Sequence, residues 1–465
     1  MPEIIRRNKP LSVNPLKTSQ TIGAALAFAG FQRAIPMLHG SQGCAAFGKV
    51  FFVGHFQEPI PLQTTAMDQV STIMGSQESI VDGLKSIAEK HRPALIGLPT
   101  TGLTETQGSD VERALKDFGE KYPEFDDICI APVATPDYAG CLESGFAAAV
   151  RAIIEAGVPG AKLAGTSPGR QYYQLNVLAG SALTPGDIEE LKTIIEAFGL
   201  MPVVVPDLSD SLDGHLMEGD FSALTIGGAS VPQLQTLGNA LATLVIGRSL
   251  KKAADELRRR TGVLDYRFDH LMGLDATDAL IGTLQQIANR AVPKKIERQR
   301  AQLQDAMLDC HFALGMARVA VAADPDLLVG LSQMVTGVGA EVVAAVSPIN
   351  TSTLGQVAAD KVKIGDLEDL EEMSRAGGAE ILITNSHGAE TARRLGIPLL
   401  RAGFPQHDLL GGYQKTWIGY RGTRQTLFDL ANLVLTLEKG HIPPYRSIHA
   451  QRPEDARGEI RPMAA

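Results

Sequence analysis

Cys44 lies in the densest group of chemically useful residues on this chain, the segment MLHGSQGC that ends at Cys44. An apolar run leads into His39, Gly40 and Gly43 allow sharp turns of the backbone, and the helix-compatible stretch AAFGKVFF follows. This pattern predicts a helix that begins close to Cys44. Unpaired N–H groups and the positive dipole end of such a helix stabilise a thiolate, the form of cysteine that binds metals or attacks carbon. A metal ligand or nucleophile is one interpretation, and a small buried apolar side chain is the other.

The remaining cysteines and histidines predict no complete metal site by themselves. The four cysteines are too few and too scattered for a disulfide framework, and no CxxC pair is present. Cys129 and Cys141 lie in apolar surroundings and are predicted to be core residues, with a place near the site as the alternative for Cys141. The ten histidines form neither HxxxH nor HExxH, so a zinc site is unsupported. His39 is predicted to hydrogen-bond its turn, and His387 is a candidate contact for an anionic ligand or a partner.

Nucleotide binding at the same segment is not supported. Residues Gly43 to Lys49 match the GxxxxGK pattern of a phosphate loop, but Val50 follows where a hydroxyl must bind magnesium. The bulky residues after Gly43 also stand where the backbone must approach phosphate closely. No GxGxxG fingerprint follows a predicted strand either.

The elements that position these residues follow a regular rhythm from about Leu95 onward. Short β-branched runs, Gly, Pro or Asp breaks and amphipathic stretches alternate, which is typical of parallel sheets with crossover helices. A chain of 465 residues exceeds what one hydrophobic core usually supports. We therefore predict an α/β fold of three Rossmann-like domains with mostly parallel sheets, at 1–165, 166–295 and 296–435, followed by a C-terminal tail at 436–465. A charged helix near Pro293 to Asp309 is predicted to connect two of them.

Ligands of open α/β sheets collect beyond the carboxyl ends of the strands. This rule nominates six loops as parts of a site: Gly40–Cys44, Thr100–Gly108, Thr135–Gly145, Gly227–Ser230, Asn385–Gly388 and Gly403–Gly412.

The composition excludes several classes of partner. The formal net charge of −9 argues against a nucleic acid or an anionic membrane, which require clustered Lys and Arg. No apolar run approaches the length of a membrane span, and the first residues, MPEIIRRNKP, lack the apolar stretch of a signal peptide. A cytoplasmic protein is expected.

The motif around Cys44 resembles the first cysteine motif of the nitrogenase molybdenum-iron protein superfamily, also called the nitrogenase component 1 type. Five further segments resemble family motifs, in the same order, along nearly the whole chain. HFQEPIPLQTT (55–65) is similar to the family's HFREP segment, MGSQESIVDGL (74–84) to its FGGQ helix, and LPTTGLTETQGSD (98–110) to its TTC and GDD loop. TPDYAGCLESGF (135–146) is similar to its TP segment, and RAGFPQHDLLGGYQKTWIGYRG (401–422) to its closing GFP and GY signature. The resemblance implies a subunit of three α/β domains that pairs with a homologous partner, with iron-sulfur clusters at their shared surface.

The positions at which this chain departs from the family pattern indicate which kind of subunit it resembles. The β subunit of nitrogenase has further cysteines for its eight-iron cluster at the positions of Leu62 and Gly102, and this chain has neither. The β-type subunit of dark-operative protochlorophyllide reductase has an aspartate as its ligand, whereas this chain keeps Cys44. A four-iron cluster takes about four thiolates, so the resemblance implies a 4Fe-4S cluster to which a NifE-type partner subunit contributes the other three cysteines.

The resemblance therefore implies a β-like scaffold subunit, not an enzyme, for maturation of the iron-molybdenum cofactor. Cys44 is its predicted metal ligand, and Gly40, Ser41 and Gly43 are predicted to let cluster sulfurs approach through their small size and N–H groups. The cofactor precursor is expected to be held mainly by the partner, in a heterotetramer of two subunits of each kind to which the nitrogenase iron protein docks. The alternatives are an oxidoreductase subunit, of nitrogenase or protochlorophyllide reductase type, and an α/β protein that binds a ligand without metal.

Overall fold

The strands of this chain are short and mostly buried. The computed structural model describes residues 1–212, 214–215 and 222–437, so the predicted tail at 436–465 lies almost entirely outside the described residues. The strands within these residues are β1 (Glu3–Ile5), β2 (Ala34–Leu38), β3 (Gln63–Thr64), β4 (Leu95–Pro99), β5 (Cys129–Val133), β6 (Gln171–Ala179), β7 (Met201–Val205), β8 (Ala240–Ile246), β9 (Asp265–Phe268), β10 (Arg318–Ala322), β11 (Glu341–Ser347), β12 (Lys361–Ile364), β13 (Ile381–Thr384) and β14 (Leu399–Arg401).

Helices occupy most of the connections between these strands. They are α1 (Gln20–Ala29), α2 (Gln42–Phe56), α3 (Gln69–Met74), α4 (Gln77–His91), α5 (Gly102–Gln107), α6 (Val111–Lys121), α7 (Leu142–Gly157), α8 (Ala161–Ala164), α9 (Pro185–Ala197), α10 (Leu208–Ser211), α11 (Val231–Thr236), α12 (Lys251–Thr261), α13 (Leu274–Ala288), α14 (Lys294–Leu314), α15 (Pro325–Thr336), α16 (Leu367–Gly377), α17 (Ala389–Leu395) and α18 (Gly419–Leu435). None of these described helices has both the length and the apolar character to cross a bilayer.

Three sheets organise the described residues, and every paired strand in them is parallel. Their strand orders are β3-β2-β4-β5, β7-β6-β8-β9 and β1-β12-β11-β10-β13-β14. Helices such as α4, α9 and α16 bury one apolar face each, as crossover helices of parallel sheets do. The predicted α/β class with mostly parallel sheets is confirmed.

The boundary predicted at 1–165 is wrong at its amino-terminal end. Strand β1 pairs with β12 in the third sheet, in the register Glu3 to Lys361. Lys9 Nζ reaches Asp366 at 2.8 Å, and the Leu367 N–H donates to the Asn14 carbonyl at 2.9 Å. A strand of three residues has no measurable period, and its partner stands at the other end of the sequence. The first residues therefore pack with the third sheet, and the first sheet begins only at β2.

Long-range contacts also join the later elements. The predicted connecting helix is α14, which packs along α18, where Arg424 donates to Gln302 at 2.8 Å. The loop before α18 crosses to the second sheet's helices, because the buried Asp187 carboxylate accepts the N–H groups of Trp417 (2.6 Å) and Ile418 (3.1 Å).

Helices α1 and α7 approach unusually closely behind the first sheet. A Cβ atom on Gly23 would lie 1.9 Å from the Leu142 carbonyl oxygen, and one on Gly145 would lie 1.9 Å from the Gln20 carbonyl oxygen. Both neighbours are backbone atoms, which cannot move aside as a flexible side chain does. The two glycines therefore fix the crossing of α1 and α7, and with it the loops that precede both helices.

We predict that Gly145→Ala destabilises the chain by about 2–3 kcal/mol, because a methyl group at this crossing must push two helices apart. Gly119→Ala is the matched control, because Gly119 also lies in a helix but a Cβ there meets nothing within 4 Å. Alanine at that control position is expected to be neutral or to stabilise by up to about 1 kcal/mol. Urea unfolding measures both, and equal stability of the two variants would contradict the close-crossing explanation.

Candidate functional site

Three of the nominated loops lie side by side at the carboxyl edge of the first sheet. Strands β2, β4 and β5 are adjacent there, and His39 and Thr100 form a further parallel bridge just beyond them. The Thr135 N–H donates to the Thr100 hydroxyl oxygen at 2.9 Å, which ties the second loop to the third. The loops Gly40–Cys44, Thr100–Gly108 and Thr135–Gly145 therefore form one surface.

Of the two nominated loops in the third sheet, one lines the pocket beside Cys44 and the other packs behind the helix that carries Cys44. His387 of Asn385–Gly388 lines the same pocket as Cys44. Gly403–Gly412 packs behind α2, where the Gln406 N–H donates to His55 Nδ1 at 2.9 Å.

The nominated loop Gly227–Ser230 does not join the site. Its residue Ala229 pairs with Phe31, which precedes β2 and so lies at the amino edge of the first sheet. This nomination is wrong because the loop lies at the opposite edge of the sheet, and no strand lies between α10 and the loop in the part of the chain that the structure describes.

Cys44 is the third residue of α2, as the sequence predicts for a helix that begins nearby. Ser41 is the residue before the first turn, and its hydroxyl makes no capping bond to the backbone but lies 3.6 Å from Cys44 Sγ. The Cys44 side chain is partly exposed and borders a pocket, in contrast to the buried Cys141 and Cys310. This placement favours a chemical role for the thiol over a purely apolar packing role.

Gly40 and Gly43 stand in different surroundings. A Cβ on Gly40 would lie 2.6 Å from Thr101 Cγ2, so packing alone requires a glycine there. A Cβ on Gly43 would meet only the Ser41 hydroxyl, at 4.0 Å. Gly43 therefore leaves open space beside Cys44, whereas Gly40 holds the turn against the neighbouring loop.

His39 is a structural residue of this edge. Its ring is fully buried, with Nδ1 3.1 Å from the Thr65 hydroxyl and Nε2 3.1 Å from the Ser76 hydroxyl. Burial lowers the pKa of His39 to about 4, so the ring is neutral at neutral pH. Because both ring nitrogens already have partners, His39 joins the neighbouring segments together instead of offering a ligand.

A pocket of about 600 Å³ adjoins Cys44. Its walls come from the segment before α1, from α2 and from the loops of the first and third sheets, with Lys17, Thr21, Phe47, Phe51, Asp137 and His387 among them. Lys17 Nζ donates to the Asp137 carbonyl at 3.2 Å, and the Thr21 hydroxyl donates to the Asp137 carboxylate at 3.0 Å. Burial, followed by the nearby His407, lowers the pKa of His387. Lys17 and Thr21 belong to no motif of the sequence, and Asp137, although it lies in the predicted loop Thr135–Gly145, meets them only in the fold.

Four exposed apolar side chains lie on or next to the elements that border this pocket. Phe47 and Val50 lie three residues apart on α2 and are 70% and 69% exposed. Leu103 on α5 and Tyr138 on the loop before α7 are also exposed, and both neighbour Gly102, whose N–H donates to Asp137 at 3.2 Å. We call these four residues the Phe47 surface. Contiguous exposed apolar groups of this kind mark interaction sites.

The other cysteines lie away from this opening. Cys129 is half-buried at the first residue of β5, the amino end of the strand, and burial raises its pKa to about 11. Cys141 is fully buried before α7, and burial, followed by Asp324, raises its pKa. Within residues 1–212, 214–215 and 222–437, no group of three or more His, Cys, Asp or Glu side chains is arranged to hold a metal ion. A metal centre at Cys44 therefore needs ligands from elsewhere.

Leu62 and Gly102 stand at the two positions where the resemblance implies cluster cysteines, and neither has a metal-binding side chain. Leu62 is 1% exposed beneath α2, and a Cβ on Gly48 would lie 3.0 Å from its Cδ2. Gly102 begins α5 close to Asp137 and Tyr138, where a Cβ would meet atoms at 3.4 and 3.5 Å. Neither position offers a ligand.

Comparison with known proteins gives one consistent family. The model of the "Nitrogenase component 1 type Oxidoreductase" family matches residues 19–435. A "Nitrogenase iron-molybdenum cofactor biosynthesis protein NifN" of Rippkaea orientalis is 47% identical, over 94% of this chain and 97% of that protein. A protein with the same description from Klebsiella pneumoniae is 44% identical, over 98% of both chains.

Solved structures agree with the sequence comparisons. The structure titled "Nitrogenase Cp1 at pH 6.5" superposes with a TM-score of 0.86 at 28% identity, over 92% of this chain and 94% of that chain. A second chain, titled "Nitrogenase Cp1 at pH 5", has a TM-score of 0.70 at 14% identity, over 95% of this chain and 92% of the other, and supports the fold alone. The family resemblance inferred from the motifs is confirmed.

Proposed function

Because the chain belongs to the nitrogenase component 1 type oxidoreductase family, and within it to the group of NifN proteins, we propose that it is a scaffold subunit for biosynthesis of the nitrogenase iron-molybdenum cofactor. In this proposal Cys44 donates one thiolate to a 4Fe-4S cluster that the subunit shares with a NifE-type partner. The subunit holds and positions the cluster, and redox activity belongs to the complex of both subunits.

One observation carries the proposal: Cys44 is a partly exposed thiol at the first turn of a helix, and no metal-binding group of three or more ligands accompanies it in the described part of the chain. The donor set fits a share of a thiolate-bound cluster and does not fit a whole one, which takes about four thiolates. Such a cluster, when bound, supplies one-electron transfer. The free N–H groups of the first turn of α2 and the open space at Gly43 leave room for a sulfur-rich group beside Cys44.

The alternative of an oxidoreductase subunit of the nitrogenase β type lacks the ligands that it needs. That subunit would need further cysteines at positions 62 and 102. Leu62 and Gly102 stand there instead, and neither has a side chain that binds iron. The absence of thiolates at both positions disfavours an eight-iron cluster on this chain.

The Phe47 surface supports a second subunit at this edge. A shared cluster must lie between two chains, and the exposed Phe47 lines the same pocket as the cysteine that would share it. We propose that the NifE-type partner covers the Phe47 surface, supplies three cysteines and holds most of the cofactor precursor. Two copies of each subunit would form the heterotetramer, and the nitrogenase iron protein would dock on it to deliver electrons.

Iron analysis of the purified complex tests this proposal. We expect about four irons for each pair of subunits from the shared cluster, in complexes purified without precursor. About eight irons per pair, with the absorption of a larger cluster, would support the nitrogenase-type alternative instead. A colourless complex without iron would favour the third possibility, a ligand-binding protein without metal.

A further inference from the structure

Helices α7 and α15 meet with their amino-terminal ends facing each other. The Asp326 N–H, in the first turn of α15, donates to Glu143 Oε2 at 2.7 Å. In return the Glu143 N–H, in the first turn of α7, donates to Asp324 Oδ2 at 3.3 Å. Each helix therefore receives a carboxyl group of the other at its positive end, where carboxylates are favourable caps.

The second sheet's elements join the same point. The Ser249 N–H, just after β8, donates to Asp326 Oδ2 at 3.1 Å. Gly247 permits this approach, because a Cβ there would lie 2.8 Å from the same oxygen. The other carboxyl oxygen of Asp326, Oδ1, is buried and has no hydrogen-bond partner among the residues that the structure describes. Elements that follow strands of all three sheets thus meet at three carboxyl groups.

Within residues 1–212, 214–215 and 222–437, no cation pairs with these carboxyl groups. Among the ion pairs of the described residues, none includes Glu143, Asp324 or Asp326. Arg248, the residue before Ser249, pairs instead with Asp269 at 3.1 Å, and the Asp269 carboxylate adds to the negative charge. Two buried carboxylates this close repel each other strongly, so one of them is favoured as the neutral acid.

The directions in which the pKa values of these groups shift agree with this geometry. Burial, with the charge of Asp326 next, raises the pKa of Glu143, whose side chain is almost fully inaccessible. Burial also raises the pKa of Asp324 to about 6 and raises the pKa of Asp326. The Cys141 thiol, which also faces Asp324, has a raised pKa and stays neutral. All three carboxyl groups therefore hold their protons more tightly in the folded chain than in an unfolded one.

We infer that Glu143, Asp324 and Asp326 form a proton-sharing junction that locks the three α/β units together and weakens when its shared proton is lost. A protonated carboxyl can donate to the unpaired oxygen of a neighbour, which a fully ionised group cannot do. The loop before α7 carries Asp137, a wall of the Cys44 pocket. The protonation state of the junction therefore also influences how firmly this wall is held.

The direction in which stability changes with pH follows from the difference in carboxyl pKa between the folded and the unfolded chain. A carboxyl group whose pKa is higher in the folded than in the unfolded chain stabilises the fold at low pH. For Asp324 this contribution is lost as the pH rises from about 4 through about 6, and for Glu143 the loss continues to higher pH. The junction is thus tightest in mild acid and weakest in alkali.

The test compares Glu143→Gln with the wild-type chain in complex with its partner. Glutamine keeps an oxygen for the Asp326 N–H and supplies a permanent N–H donor in place of the shared proton. In infrared difference spectra at about pH 7, we expect the wild type to show the carbonyl stretch of a protonated carboxylic acid that the variant lacks. We also expect the fall in thermal midpoint between about pH 5 and about pH 8 to shrink by about half in the variant.

Matched variants separate this inference from a general packing effect. Glu155→Gln changes an exposed carboxylate on the same helix, ion-paired to Arg151 at 2.8 Å, and should leave the infrared band and the pH dependence unchanged. Asp324→Asn provides a second removal of a carboxyl group if Glu143→Gln folds poorly. An unchanged carboxylic acid band, or a pH dependence equal to that of the wild type in both junction variants, would overturn the inference.

Discussion

Replacing Cys44 by alanine is expected to remove the iron-sulfur cluster from the complex or to leave it severely depleted. The structure offers the cluster one ligand from this chain, and the described residues hold no metal-binding group that replaces it. A cluster left with three thiolates has an open coordination position that water or oxygen can attack. We expect iron content to fall to less than about half and the visible absorption and electron paramagnetic resonance signal to fall with it.

Cys129→Ala is the matched control for this substitution. Cys129 is half-buried at the amino end of β5. The site lies beyond the carboxyl end of that strand, and the two ends of the strand are about 13 Å apart. Its removal should leave iron content and spectra unchanged. The ligand assignment would be wrong if Cys44→Ala kept full iron and an unaltered spectrum while the complex remained assembled.

Replacing Phe47 by aspartate is expected to prevent stable association with the partner subunit. Phe47 is 70% exposed, so the change costs the isolated chain little, but it places a carboxylate in the centre of the proposed contact. We expect the dissociation constant to rise by about a hundredfold or more, equivalent to about 3 kcal/mol. Co-purification of the partner and sedimentation of the mixture measure this change.

Tyr172→Asp provides the comparison for the Phe47 substitution. Tyr172 is 76% exposed near the amino end of β6, in the second sheet, so its loss changes an equally accessible aromatic group on another part of the molecule. That variant should bind the partner normally. If Phe47→Asp co-purifies with the partner as well as Tyr172→Asp does, the Phe47 surface is not the interface.

Much of the fold was predictable because its signals are local. Repeated β-branched runs followed by amphipathic stretches predict parallel sheets, and the position of α2 follows from glycines before an apolar stretch. Cys44 at the first turn of α2 follows from the same local pattern. The order of motifs along the chain predicted the family, which the comparisons confirm.

The parts that could not be predicted depend on contacts between distant segments. Strand β1 is too short to show a period, and only its pairing with β12 assigns it to the third sheet. Lys17 and Asp137 meet at the Cys44 pocket through a hydrogen bond that no sequence pattern specifies. In the sequence, Glu143 is an ordinary acidic residue in the first turn of a helix. Only the fold shows that it faces the first turn of α15.

The position of iron in crystals of the assembled complex tests the central claim most directly. Anomalous scattering at the iron absorption edge locates the metal independently of any variant. The proposed function predicts an iron atom about 2.3 Å from Cys44 Sγ, a typical metal-thiolate distance, with the remaining ligands from the partner subunit. Iron bound only by the partner's cysteines, with Cys44 Sγ outside bonding distance, would contradict the proposal.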